Sequence, residues 1–172
     1  MAIYKIQSES INLADTFAFT GTVTGAGGVN TPAFFAKMTS SENITDNSYT
    51  KATFGTEVFD TASAFATSRF TVPSGQAGKY FIYGSLRGQV DTDGHLQDMY
   101  INIYKNGSNY VENRMNFNPN QIRFCTSLIH SVLELSVGDY VEIYGAVNTT
   151  SSQSSFGSSD GASNFGGYKI IE

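Results

Sequence analysis

GKYFIYGSL at residues 78–86 and DMYINIYKNG at residues 98–107 are the two stretches that decide the fold. In the first, Ile82 and Leu86 share one side of an alternating pattern and Tyr83 takes the other. A period of two residues predicts β-strands, because neighbouring side chains on a strand point to opposite faces.

The second stretch alternates in the same way and ends in Asn106 and Gly107. Both residue types accept the positive φ angles of a two-residue hairpin turn, so the chain is expected to reverse there. The run RFCTSLIHSVLEL at residues 123–135 predicts a third strand, with Leu133 and Leu135 pointing inward.

Further short strands are expected in PAFFAKMT, TFGTEVFD, SRFTVP, DYVEIYGAV and FGGYKII, and polar turn residues separate them. Sustained apolar recurrence at helical spacing is missing from the sequence. Charged residues make up only 15% of the chain, while 13 Phe and 10 Tyr supply aromatic side chains that suit strands. Seven or eight short strands in one domain predict an all-β sandwich or barrel.

The composition also disfavours several kinds of partner. The net charge is −5 and the chain has no run of Lys or Arg, so no nucleic-acid partner is expected. Cys125 is the single cysteine, which rules out a disulfide within one chain. The N-terminal residues do not resemble a secretory signal, and no stretch reaches the ~20 apolar residues of a membrane span, so no membrane insertion is expected.

Six sequence pieces in order resemble one known superfamily. They are PAFFAKMT, EVFD, FTVP with GKYFIYGSL, INIYKNG, SVLELSVGDYVEI and FGGYKII. Together they resemble the tumour necrosis factor and complement globular-head superfamily of jelly rolls, and most closely its complement-like branch. The resemblance runs from residue 32 to residue 172.

This resemblance implies a ten-stranded jelly-roll sandwich that forms a homotrimer through an aromatic flank. It also implies that the termini lie at one end and the binding loops at the other. The candidate interface residues are aromatic positions of the predicted strands: Tyr80, Phe81, Tyr83, Tyr100, Tyr104, Tyr144 and Tyr168. The alternative is that half of these rings fill the core, and the sequence does not sort them.

Residues 1–31 precede the resemblance, and residues 32–172 form the expected jelly-roll head. The first segment is similar to the lead-in of such heads in fibre and appendage proteins of tailed phages. Its stretch DTFAFTGTVTG either adds a strand to a neighbouring chain or is a weakly ordered tail. The collagen triplets that precede vertebrate heads of this type do not occur here.

Ligand contacts are expected on the apex loops, including a long Ser/Gly/Asn loop from residue 148 to residue 164. Amide, acidic and imidazole side chains there suit hydrogen bonding to a sugar or protein. The candidate ligand-binding residues are Asp91, Asp93, His95, Gln97, Asn116, Asn118 and Gln121.

No cofactor is expected, and calcium has one candidate site. Asp91, Asp93 and Asp98 form the only local carboxylate cluster, but their spacing is not that of an EF-hand, and a solvated acidic turn is the preferred interpretation. The loop NFNPNQ has only amides where some relatives bind calcium. His130 is interpreted as a structural histidine and Cys125 as a small buried side chain, and no catalytic residue is proposed.

The leading hypothesis is a non-enzymatic, trimeric virion protein of a tailed phage, assembled in the bacterial cytoplasm. It would be a fibre or spike head for host-surface attachment, or a capsid decoration. Its partners would be its own copies, other virion proteins through the N-terminal segment, and a host-surface carbohydrate or protein. The alternatives are a secreted lectin-like or ligand-like trimer, and a glycan hydrolase, which requires a carboxylate pair that the sequence does not offer.

Overall fold

A computed structural model describes residues 31–150, 153–158 and 161–170. The predicted extension at residues 1–31 lies almost entirely outside them. Thirteen strand segments occur in the described residues. They are β1 Ala33–Lys37, β2 Glu42–Ile44, β3 Thr50–Lys51, β4 Thr56–Asp60, β5 Phe65–Ala66, β6 Arg69–Thr71, β7 Gly78–Val90, β8 Leu96–Lys105, β9 Ser108–Asn116, β10 Phe124–Leu135, β11 Tyr140–Thr149, β12 Ser154–Gly157 and β13 Asn164–Lys169.

The strands form two antiparallel sheets, which confirms the predicted all-β jelly roll. The seven-stranded sheet has the order β2-β12-β7-β13-β1-β4, with β10 along the other edge of β7. The six-stranded sheet has the order β5-β6-β11-β8-β9, with β3 beside β11. Four segments have only two or three residues, so the number of segments exceeds the ten strands that the resemblance implies.

Strand β7 organises the seven-stranded sheet because it is long enough to pair with three neighbours. Its alternation places Tyr80, Ile82, Leu86 and Val90 in the core. The opposite edge of β7 is free for β10, which pairs with it along the whole length from Phe124 to the end of the strand. The inward and outward positions therefore follow the sequence pattern.

The hairpin between β8 and β9 confirms the predicted turn. Asn106 and Gly107 have φ angles of 51° and 79°, and Lys105 pairs with Ser108 across them. A two-residue turn with both φ angles positive matches the twist of the flanking strands. The turn therefore fixes which residues of β8 and β9 face each other.

Aliphatic and phenyl side chains fill the space between the sheets. Leu133 and Leu135 point inward as predicted. The Phe34 ring lies 4.7 Å from that of Phe70 and 4.9 Å from that of Phe165, measured between centroids. Burying one such ring stabilises the fold by about 1.5–3 kcal/mol relative to leaving it exposed.

Strand β12 corrects one prediction. Residues 148–164 were expected to form one long binding loop, but Ser154–Gly157 is a fully buried strand between β2 and β7. Phe156 occupies the core, and the Ser154 hydroxyl donates to the Ile44 carbonyl. The sequence did not indicate this strand, because Phe156 is its only large apolar residue and Ser and Gly surround it.

The ends of the sandwich differ. Ala33 pairs with Tyr168 at one end, where the β8–β9 hairpin and the β10–β11 turn also lie. The β7–β8 and β9–β10 connections lie at the other end, where Leu96 bridges to Ile122. None of the described residues belongs to a helix that is long and apolar enough to cross a membrane.

Candidate functional surfaces

The apex is the end formed by residues 91–95, residues 117–123 and Thr150. Backbone bonds hold these segments together: the Thr150 amide donates to the His95 carbonyl at 3.0 Å, and the Phe117 amide donates to the Gln97 carbonyl at 2.8 Å. The structure therefore brings the predicted apex segments to one place.

Several predicted apex side chains bond to each other. His95 Nδ1 lies 2.7 Å from Thr150 Oγ1, and the Gln121 amide donates to Asn118 Oδ1 at 3.4 Å. Asp93 pairs with Arg123 at 3.3 Å on the exposed surface. An exposed ion pair of this kind contributes little to stability, so these groups remain available to an outside ligand.

Asp98 does not lie in the solvated acidic turn that the sequence favoured for Asp91, Asp93 and Asp98. Its carboxylate is buried near the start of β8 and accepts hydrogen bonds from Arg114 Nη2 at 2.9 Å, Asn116 Nδ2 at 2.7 Å and Asn148 Nδ2 at 2.9 Å. Burial alone raises the pKa of Asp98, but these donors outweigh it and lower the pKa. Asn116 is accordingly a partner of Asp98.

Metal ligation finds no support in residues 31–150, 153–158 and 161–170. No group of three or more His, Cys, Asp or Glu side chains there is arranged to hold a metal ion. Asp91 and Asp93 stay in the exposed turn before β8, while the Asp98 carboxylate is directed into its own hydrogen-bond network. The three aspartates therefore do not converge on one point in the described residues.

His130 and Cys125 both lie on β10. The His130 side chain is exposed, with its ring centre 5.9 Å from that of Phe81. Cys125 is half-buried against the Met115 sulfur at 3.3 Å, and burial raises the pKa of its thiol. A thiol with a raised pKa is a poor nucleophile at neutral pH.

The outer side of the seven-stranded sheet carries a largely apolar surface, which we call the apolar face, with His130 on the same side between Leu128 and Val132. Its rings form a chain of contacts: Phe81 lies 5.5 Å from Tyr168 and 6.0 Å from Tyr83, and Tyr83 lies 6.3 Å from Phe35. The members of this face are Phe35, Phe59, Phe81, Tyr83, Leu128, Val132 and Tyr168.

Much of the apolar face is in contact with water in the single chain. Leu128 is 67% exposed, Val132 is 51% exposed and Phe59 is 46% exposed. Scattered exposed apolar residues are ordinary, but a contiguous set of this kind marks a surface that contacts another molecule. Sequence reasoning identified Phe81, Tyr83 and Tyr168 here but missed Leu128 and Val132, although their alternation with Ile129 and Leu133 was a usable signal.

Tyr80 is corrected from an interface residue to a core residue. Its side chain is completely buried within one chain, and its hydroxyl donates to the Gln76 carbonyl at 2.6 Å. Burial raises the pKa of Tyr80 to about 12. A side chain without any exposed surface in the single chain offers nothing to a neighbouring subunit.

The outer side of the six-stranded sheet carries the other predicted interface tyrosines, so the seven candidates do not form one surface. Six of the nine tyrosines in the described residues lie on this opposite side, which we call the tyrosine face. They are Tyr49, Tyr100, Tyr104, Tyr110, Tyr140 and Tyr144.

The rings of the tyrosine face contact one another and nearby cations. Tyr104 and Tyr144 stack with centroids 4.0 Å apart, and Tyr49 meets Tyr100 edge to face at 5.7 Å. The Arg69 guanidinium lies 3.9 Å from the Tyr140 ring centre. Such contacts fix the orientation of the rings.

Two carboxylates anchor the polar groups between these rings. Glu142 is 2% exposed and accepts from Lys51 Nζ at 2.7 Å and Arg69 Nε at 2.9 Å. Glu112 Oε2 accepts from Asn102 Nδ2 at 2.9 Å and from the Tyr49 hydroxyl at 2.8 Å.

These bonds set the pKa values of both partners on the tyrosine face. Hydrogen bonds from Asn102 and Tyr49 lower the pKa of Glu112. Burial, together with the bond to Glu112, raises the pKa of Tyr49 to about 12. The carboxylate is therefore charged and the phenol is neutral near pH 7.

Comparison with known proteins supports the fold and nothing more specific. No protein-family model matches the sequence, and no curated protein matches it. The globular domain of zebrafish complement 1qA is 16% identical, with a TM-score of 0.57, over 82% of this chain and 98% of that chain. Murine APRIL is 11% identical, with a TM-score of 0.59, over 81% of this chain and 98% of that chain. The chain thus has the jelly-roll fold of the tumour necrosis factor and complement globular-head superfamily, as its sequence motifs implied.

Proposed function

We propose that this protein is a non-enzymatic, homotrimeric head module that associates through its apolar face. The observation that carries the proposal is the exposed apolar surface on the outer side of one sheet, where the Phe81, Tyr83 and Phe35 rings lie between Leu128 and Val132 on β10 and Phe59 on β4. Covering apolar surface stabilises an assembly by about 25 cal/mol per Å². The superfamily resemblance implies three copies around one axis, which is a closed symmetric arrangement.

The apex supplies the recognition surface in this proposal. Its exposed groups include Asp93, Arg123 and the Asn118–Gln121 pair, and they lie at the end opposite Ala33. A trimer would present three such ends side by side, while the chain before Ala33 leaves from the other end. Repeated weak contacts on one particle raise the overall affinity without any new contact.

We further propose that the module belongs to the virion of a tailed phage, as a fibre or spike head that binds a host surface, or as a capsid decoration. The composition supports this role: the chain has no disulfide, few charged residues and many Ser, Thr, Asn and Gly. The expected assembly site is the bacterial cytoplasm. Attachment to other virion proteins is assigned to residues 1–31.

Light scattering on a sizing column tests the trimer. We expect a mass of about three times the 18.6 kDa of one chain. A mass of one chain at all micromolar concentrations tested would refute the proposed trimer. Mass spectrometry tests the virion role: purified particles of the phage that encodes this chain should contain the protein. If intact particles lack it, the virion role is refuted, but the trimer is not affected.

A further inference from the structure

We propose that the tyrosine face is a second binding surface, separate from the apex, and that its ligand is a neutral oligosaccharide. This rests on the recognition role proposed above but not on the trimer, because the apolar face and the tyrosine face lie on opposite sheets. When copies cover the former, the latter stays on the outside of the sandwich.

The aromatic groups of this face suit sugar rings. Tyr110 is 52% exposed and Tyr49 is 44% exposed, and the stacked pair of Tyr104 and Tyr144 lies between strands β8 and β11. A pyranose ring has one or two apolar faces of C–H groups, which pack on an aromatic ring, and hydroxyls around its rim. Tyrosine suits both parts of the sugar, because its apolar ring packs on the C–H face and its hydroxyl can bond to the rim hydroxyls.

Polar groups lie between the rings of the tyrosine face. Asn102 occupies the middle of the face: it pairs with Tyr144 on one side and Glu112 on the other, and it lies two residues from Tyr100 and from Tyr104. Its Nδ2 donates to Glu112, but its buried Oδ1 has no hydrogen-bond partner among the described residues. A buried acceptor left without a donor is unfavourable, because it has lost its hydrogen bonds to water.

A sugar hydroxyl is the donor that completes this arrangement. Tyr49 reaches the face from the connection before β3, and its hydroxyl donates to Glu112 Oε2. When a ligand hydroxyl takes the place of the Tyr49 hydroxyl, Glu112 keeps a donor and a second hydroxyl reaches Asn102 Oδ1. The Tyr49 ring then packs against the sugar.

Charge complementarity selects a neutral ligand. The cations Lys51, Arg69 and Arg114 are each within hydrogen-bond distance of a carboxylate of Glu142 or Asp98. With Glu112, the face carries three cations and three anions. Neither a nucleic acid nor an acidic polysaccharide gains from a surface whose charges already cancel.

The absence of aliphatic groups separates a saccharide from a protein partner. Among the described residues, the large exposed apolar side chains of this face are Tyr49 and Tyr110, whereas Leu128, Val132 and Phe59 lie on the opposite sheet. The core of a protein interface is also rich in Tyr and Arg, but it is depleted of Lys, Asp and Glu. The tyrosine face has aromatic rings interleaved with charged and amide groups instead.

The test begins with the wild-type protein on an array of neutral oligosaccharides of glucose, mannose, galactose and N-acetylhexosamines, with acidic polysaccharides printed beside them. A neutral saccharide that binds is then titrated in solution. Because the chain has no Trp, tyrosine fluorescence reports the binding directly. We expect a change in emission that saturates at or below ~1 mM for one site.

Two variants of the face and one matched control assign the site. Tyr110→Ala and the double variant Tyr104→Ala/Tyr144→Ala should each weaken binding at least about tenfold, whereas Tyr168→Ala on the apolar face should leave the affinity of one site unchanged. Tyr110 is well exposed, so its variant keeps the fold even if the double variant does not. Circular dichroism checks both.

Three results would overturn the inference: no neutral saccharide binds, only acidic polymers bind, or the face variants bind as tightly as Tyr168→Ala. The failure of the trimer is a separate result. In that case the measured mass is that of one chain, and the saccharide titration still gives the same affinity for one site.

Discussion

Leu128→Glu is the substitution that most directly tests assembly through the apolar face. Leu128 is 67% exposed in the single chain, and complete burial of a leucine is worth about 1.5–3 kcal/mol, so covering the exposed part contributes about 1–2 kcal/mol per subunit. A carboxylate at a covered position costs several kcal/mol more. The two effects together exceed about 3 kcal/mol per subunit, which is about 9 kcal/mol per trimer, or more than roughly six powers of ten in the association constant.

Light scattering at micromolar concentration should therefore show the mass of one chain for this variant. The fold itself should survive, because the side chain projects into water in the isolated subunit, and thermal unfolding of the monomer checks this. Val137→Glu is the matched control, since Val137 is also exposed but lies in the β10–β11 turn. The reasoning fails if Leu128→Glu remains a trimer, or if Val137→Glu dissociates as well.

Three further substitutions test the account of the fold. Glu142→Gln removes the buried anion that Lys51 and Arg69 share, and urea titration should show a free energy of unfolding lower by about 2 kcal/mol. The loss is this small because both cations are partly exposed and water can solvate them. The control Glu134→Gln, at an exposed position, should change the free energy of unfolding by less than about 0.5 kcal/mol. The lowered pKa of Asp98 adds stability that is complete above the unfolded-state pKa, at pH ~4, and is lost as the pH falls through the folded-state pKa. The difference in Tm between the wild type and Asp98→Asn should therefore narrow from pH 6 to pH 3. A difference in Tm that stays constant over this range would contradict the role of Asp98. Gly145→Ala places a Cβ 2.8 Å from the Tyr100 carbonyl and against core side chains, and the loss of about 1–3 kcal/mol should appear as a lower midpoint of chemical unfolding.

The sequence predicted the strands whose two sides differ in polarity. In β10, Leu133 and Leu135 alternate with Glu134, and hydrophobic burial leaves only one way to orient the strand. The Asn106–Gly107 turn was equally readable, since few residue pairs accept two positive φ angles. Local chemistry decided both features, and the structure confirms them.

Strands with apolar residues on both sides were harder to interpret. In β7, Tyr80 and Ile82 alternate with Phe81 and Tyr83, so the pattern places the two sets on opposite faces without saying which set is inside. The structure buries Tyr80 and leaves Phe81 on the apolar face. The choice depends on which sheet packs against β7, and that is a long-range contact.

The pairing of strands was beyond local reasoning for the same cause. Tyr104 and Tyr144 are forty residues apart in the chain, and only the register of β8 against β11 brings their rings together. Asp98 likewise meets Asn148 from the neighbouring strand, which removes it from the acidic turn where the sequence placed it. Aspartates close together in sequence therefore have different roles, because strand pairing gives them different neighbours.

The difference between the two outer faces follows from solvation, although Tyr83 and Tyr168 lie on the apolar face. Phe, Leu and Val offer no hydrogen bond, so an exposed set of them is stable mainly when another apolar surface covers it. Tyrosine keeps its hydroxyl in water or on a polar partner, as Tyr49 does with Glu112, so a tyrosine surface can stay open. A monomeric Leu128→Glu variant separates the two faces experimentally, because it should lose the assembly and keep the affinity of each tyrosine face for its saccharide.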